Sequence, residues 1–159
     1  MSELRGVEIA VNDIKPYENN PRNNSKAIPV VAESIRKFGM RQPLVLDQEN
    51  VIIIGHTRYC AAKYLGMKTV PCVIASDLTE NQATALRLAD NRLGELAQWD
   101  SELLSAEVAE LAGSGYEEIF KFFDESSYSP EDMELDVKKM CTCPNCRYSG
   151  EELMFVTRR

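Results

Sequence analysis

The sequence predicts an α+β domain of about 95 residues, followed by helices and a short cysteine-rich tail. Three observations point there. Short apolar stretches are interleaved with segments whose apolar residues recur at helical spacing. Glycines and capping pairs stand where one kind of segment gives way to the other. The apolar share, 44% of 159 residues, is enough for a packed core.

The elements follow in order. Val7 to Val11 alternates apolar and polar, as a short strand does. "KPYENNPRNN" is rich in Pro and Asn and reads as a loop. Ile28, Val31, Ala32, Ile35 and Phe38 lie on one helical face, Pro29 suits the first turn, and Gly39 sits where a left-handed cap would end it. "PLVLDQENVIIIG" predicts a hairpin: strand Leu44–Leu46, a turn at Asp47–Asn50, strand Val51–Ile54. Thr57 is placed to cap a helix running to Leu65, with Gly66 ending it. "TVPCVIA" is a further strand, and Pro71 inside it predicts a sheet edge. Thr79 and Gln82 form a capping box for a helix carrying Ala83, Leu86, Leu93 and Ala97. Asp100 caps an amphipathic helix built on Leu103, Leu104, Val108 and Leu111. The predicted division is a domain over 1–98, an acidic helical extension over 99–125, a linker over 126–140 and the tail over 141–159.

Charge narrows the function classes. Residues 1–92 hold 12 Lys and Arg against 10 Asp and Glu, whereas residues 93–140 hold 3 against 13. The acidic stretch repels a phosphate backbone, so a nucleotide or nucleic-acid site belongs to the first 92 residues. No apolar run approaches the ~20 residues of a membrane span, and "MSELRGVEIAVNDIK" lacks a signal-peptide pattern. A cytoplasmic chain without membrane attachment is expected.

The chemistry concentrates at "VIIIGHTRYC". An apolar strand ends at Gly55, and His56, Thr57 and Arg58 open a helix. Glycine lets a ligand approach the backbone. The first helical turn leaves N–H groups unpaired, which with the helix dipole favour an anion. Arg58 adds a forked cation suited to phosphate. Thr57 is placed either to cap the helix or to donate to a phosphate oxygen. For His56, the single histidine, three readings stand open: phosphate ligand, proton shuttle, or neither. The competing reading of the stretch is a tight strand-to-helix turn with Arg58 paired to an acid. Gln42 and Pro43 open a core strand, Asp90, Asn91 and Arg92 cluster on a helix, and Arg22 lies in the Pro/Asn loop.

In the order of these motifs, from "FGMRQPLVL" through "VIIIGHTRYCAAKYLGMKTVPCVIASDLTENQATALRLADNRL", the chain resembles the ParB/sulfiredoxin fold, often labelled a ParB-like nuclease domain. The continuation "LADNRLGELAQWDSELLSAEVAEL" is similar to the ParB-like domains at the front of phage and prophage DNA-modification methyltransferases. The resemblance implies a ParB/sulfiredoxin-like domain with a C-terminal helical extension and a short Cys-rich tail. It also implies a phosphate pocket, which in chromosome-partition ParB proteins binds CTP through Gly-Glu-Arg-Arg and Glu-Asn-x-x-Arg motifs. Gly55, Arg58 and Asn91 carry over; His56 and Thr57 replace the acid and the first arginine, and Arg92 follows Asn91 at a shorter spacing. Sulfiredoxin chemistry is not expected, because His56 stands where that family has its reactive cysteine. Free-serine kinases of the fold carry Gly-His-His-Arg, closer to this chain's Gly55-His56-Thr57-Arg58.

The expected ligand set is therefore Gln42, Pro43, Gly55, His56, Thr57, Arg58, Asn91, Arg92 and Arg22, with His56 and Asp90 as candidate catalytic groups. A nucleoside triphosphate with Mg²⁺ is the expected cofactor. The expected partners are nucleotide, DNA directly or through a protein such as a methyltransferase, and a second copy of the chain. The alternatives are an enzyme of the same fold (nuclease, NTPase or small-molecule kinase) and a non-catalytic interaction module. In the tail, Cys143-Pro-Asn-Cys146 has zinc-knuckle spacing, and Cys141 offers a third thiolate toward Zn²⁺. Cys60 and Cys72 read as small core residues.

Overall fold

Val11 marks the first departure from the expected pattern. Strand β1 covers Gly6–Ala10 and stops one residue early, where Val11–Asp13 turn as a single 3-10 helix. The turn sends Val11 and Ile14 into the core, and the Val11 N–H still donates to the Lys68 carbonyl at 3.0 Å. These features come from a computed structural model that describes residues 6–94 and 96–116. Helix α1, Ala27–Phe38, ends as expected, with Gly39 at φ 75° and its N–H bonded to the Ile35 carbonyl. Strands β2, Leu44–Leu46, and β3, Ile52–Ile54, form the antiparallel hairpin. Its turn is tied by Asp47, whose Oδ1 accepts from the N–H groups of Glu49 and Val51 at 3.0 and 2.7 Å.

The sheet order is β1-β4-β2-β3, with β4, Thr69–Ile74, antiparallel to β1 and parallel to β2. Pro71 therefore lies in an inner strand, not at an edge. The register explains how. Val11 and Lys68 form a hydrogen-bonded pair, so in this antiparallel ladder Glu8 and Pro71 fall in a non-bonded pair and the proline nitrogen faces away from β1. It faces the β2 side, as the Ala75 N–H does when it donates to the Leu46 carbonyl at 2.8 Å. On that side pairing begins only at Leu44 with Cys72, one residue after the proline. No ladder bond is lost.

Helices cover both faces of the sheet. On one face Leu44, Leu46, Ile52, Val70 and Cys72 pack with Tyr59 and Ala62 of helix α2, His56–Tyr64, and Ile28, Ala32 and Ile35 of α1 close over Ala61. On the other, Ile53 and Ala75 pack with Ala83 of helix α3, Glu80–Leu93. Both uses assigned to the inner cysteines are core uses. Cys72 is fully buried, and burial, then the nearby Glu8, pushes its thiol up to about 11. Cys60 packs half-buried against both α1 and β-sheet clusters.

Helix α3, Glu80–Leu93, opens on the expected capping box: the Thr79 N–H donates to Gln82 Oε1 at 2.9 Å, and the Gln82 N–H donates back to Thr79 Oγ1 at 3.4 Å. It ends short of Ala97. Helix α4, Ser101–Glu110, is capped by Asp100, which accepts from the Glu102 and Leu103 N–H groups. Its apolar stripe is not buried; Leu103 is 67% exposed and no α4 residue is part of a core. The chain divides into two compact units between Leu88 and Ala89. No helix among the described residues is long and apolar enough to cross a membrane. The linker and the cysteines Cys141, Cys143 and Cys146 lie outside the described residues.

Candidate phosphate-binding site

Strand β3 carries its chain through the core and delivers Gly55 at the sheet's end. There φ is 105°, a left-handed conformation that glycine adopts without penalty. Space is the second reason for glycine. A Cβ here would stand 2.6 Å from Leu44 Cδ2 and 3.4–3.5 Å from the Arg58 guanidinium. Arg58 thus folds back across the bare face of Gly55. Its Nη1 donates to the Pro43 carbonyl at 2.8 Å, which fixes the direction of the cation without neutralising it at that bond.

Gly55 is also the cap of α2, which runs His56–Tyr64 and so begins one residue before the expected Thr57. The left-handed glycine reverses the chain early enough that no side-chain cap is used. The first helical bond joins the Tyr59 N–H to the Gly55 carbonyl at 2.9 Å, so the N–H groups of His56, Thr57 and Arg58 precede the ladder. The helix is held in place by Tyr59, buried, with its hydroxyl donating to the Ile14 carbonyl at 3.2 Å. Main-chain donors and a guanidinium thus meet around one bare glycine. Donors and a cation of these kinds can together hold an anion.

His56 faces inward. Its Nε2 accepts a hydrogen bond from the Tyr17 main-chain N–H at 3.2 Å. Burial first, and then the Arg87 cation, pull its pKa down to about 4, so the ring is neutral at ordinary pH. Arg87 comes from α3 and is 4% exposed. Its Nε donates to the Ile52 carbonyl at 3.3 Å, and its guanidinium carbon lies 3.6 Å from the centre of the Tyr17 ring. The loop bearing Tyr17 is pinned beside β3 by Lys15, whose N–H donates to Asn50 and whose carbonyl accepts from Ile52, both at 2.9 Å. Tyr17 and Arg87 also line a cleft of about 720 Å³ that includes Asp47, Val51 and Thr84.

The structure brings Pro43, Gly55 and Arg58 into contact and ties His56 to the loop. Gln42, next to Pro43, is exposed, and Thr57 is half-buried as the second residue of α2. Arg22 is exposed in the loop, its main-chain N–H donating to Asn20 Oδ1 at 3.3 Å. Asp90, Asn91 and Arg92 belong to the second compact unit, so the notch is described from the first unit alone. Among the described residues no group of three His, Cys, Asp or Glu is placed to hold a metal ion. Sequence reasoning missed Tyr17 and Arg87. The signal for Arg87 was its place four residues after Ala83, on the inward stripe of α3, where an apolar residue belongs. Tyr17 gave no signal beyond being an aromatic residue in a polar loop.

Comparison with known proteins bears on the family and the fold. The family model described as the ParB N-terminal domain matches residues 1–92. The chain is 38% identical over 84 residues to the ParB-like nuclease domain-containing protein YnaK of Escherichia coli, an alignment covering 52% of this chain and 97% of that one. It is 35% identical over 88 residues to the probable chromosome-partitioning protein ParB of Campylobacter jejuni, covering 52% of this chain but 31% of that protein. The chain thus spans nearly all of YnaK and about a third of the partitioning relative. Among solved structures it is similar to the C-terminally truncated ParB of Caulobacter crescentus in complex with CTP-γ-S, with a TM-score of 0.60, 19% identity, and coverage of 69% of this chain and 64% of that one. At that identity the likeness concerns the fold. With more than half its length matching the family model, and with the strand–glycine–helix notch in place, the chain belongs to the ParB N-terminal domain family.

Proposed function

We propose that this chain is a nucleotide-binding ParB-like module whose triphosphate seats on the Gly55–Arg58 notch. It works with DNA, directly or through a DNA-modifying partner such as a methyltransferase, in a phage or prophage setting. One observation carries the nucleotide reading: at the head of α2, Arg58 is folded over a glycine where a Cβ would be strained and crowded, and is anchored to the Pro43 carbonyl. The Caulobacter structure of the same fold holds a CTP analogue, which supports a nucleoside triphosphate as the ligand class. Any Mg²⁺ would rest chiefly on phosphate oxygens, since no ready-made cage of acids stands among the described residues. The +2 balance of residues 1–92 against the acidic stretch that follows supports placing phosphate contacts in the first unit.

The test is calorimetric titration of the full chain with CTP, ATP, GTP and UTP, with and without Mg²⁺. Binding of at least one triphosphate is expected. The Arg58→Ala variant, still folded by circular dichroism, is expected to lose at least tenfold in affinity, as removal of a charged hydrogen-bond donor does (~1.5–3 kcal/mol). A wild-type chain with no affinity for any of the four removes the proposal.

A further inference from the structure

The contacts around His56 reach further than the notch itself. A backbone N–H that donates to Nε2 requires that nitrogen to be unprotonated. In a neutral imidazole the proton then resides on Nδ1. The donor is the main chain of Tyr17, which cannot rotate away or change its protonation. Two anchors hold it. Lys15, two residues earlier, is bonded to both Asn50 and Ile52 beside β3. The Tyr17 ring lies on the Arg87 guanidinium, and Arg87 is itself bonded to the Ile52 carbonyl.

We propose that Tyr17 is a positioning residue for the notch: its main-chain N–H locks His56 as the Nδ1–H tautomer, making the ring a fixed neutral hydrogen-bond donor at the head of α2 and not a general base. The inference rests on the reading of the notch as a phosphoryl site. Of the three roles its sequence position leaves open, it removes proton shuttling at Nε2. The charged group bearing on the ring is Arg87 from α3, and it opposes protonation, as burial does. Arg58 on the same helix adds a second cation near the notch. A base at Nε2 would have to displace the Tyr17 bond and accept a proton near the Arg87 cation.

The chain has one histidine, so ¹⁵N-histidine labelling reports His56 without ambiguity. Long-range ¹H–¹⁵N spectra of the full chain from pH 5 to 8 are expected to show a protonated Nδ1 and an unprotonated Nε2 throughout. An Nε2–H pattern, or a titration centred near 6.5, overturns the lock. Tyr17→Phe is expected to keep the wild-type pattern. Tyr17→Ala, which loosens the loop, is expected to give mixed tautomers and to weaken inorganic tripolyphosphate binding about three- to tenfold, the scale of one hydrogen bond. An alanine variant indistinguishable from wild type in both respects overturns the positioning role. Should that variant unfold, the Tyr17 amide in the wild type decides: exchange slower than that of Glu18 and Asn19 supports the lock, and equal exchange overturns it. Tripolyphosphate binding by wild type, compared with Arg58→Ala, tests the phosphoryl reading separately. Its failure leaves the tautomer result standing as a fact of the fold.

Discussion

Gly55 concentrates three demands on one residue. It must hold φ at 105°, leave Leu44 undisturbed and let the Arg58 guanidinium approach. Gly55→Ala meets the strain of the left-handed region and a 2.6 Å contact at once, and is expected to cost about 2–4 kcal/mol in urea unfolding. His56 sets a pH dependence. Its pKa is about 4 folded against 6.5 unfolded, so below 6.5 the unfolded chain takes up the proton first. The stability is whole above 6.5, falls as pH drops toward 4, and levels off below it. The loss is about 3 kcal/mol. His56→Gln is expected to flatten that segment of the stability–pH curve, leaving the carboxylate-driven fall at lower pH.

At the scale of elements, features set by neighbours in sequence were the legible ones. The Thr79–Gln82 box, the Asp47 turn, the Asp100 cap and the Gly39 stop each close within four residues, and each stands where the pattern placed it. Thr79→Ala is expected to cost about 1 kcal/mol, and to shift the urea midpoint without changing its slope. What escaped the pattern depends on partners distant in sequence. Pro71 reads as an edge residue until the register shows which side its nitrogen faces and where β2 begins. Thr57 reads as a cap until Gly55 takes that place by adopting a conformation the sequence permits but does not dictate. Arg87 falls on the inward stripe of α3, but periodicity cannot say that a tyrosine from the first loop will cover it.

For the whole molecule, charge and topology divide the labour. The first unit holds the sheet, the notch and the cleft; the acidic residues gather in sequence after residue 92. The notch's three contacting residues come from the start of β2, the end of β3 and the first turn of α2. Two of them, Gly55 and Arg58, were evident as a motif. That Pro43 would supply the carbonyl anchor required the hairpin to be folded. Main-chain amides at the head of α2 are the feature most directly exposed to trial. Adding tripolyphosphate to the ¹⁵N-labelled chain and following ¹H–¹⁵N correlations reads each of them. The largest shifts are expected at residues 55–59, and are expected to vanish in Arg58→Ala. Shifts confined to the cleft around Asp47–Glu49, or absent throughout, would contradict a phosphate seat at Gly55.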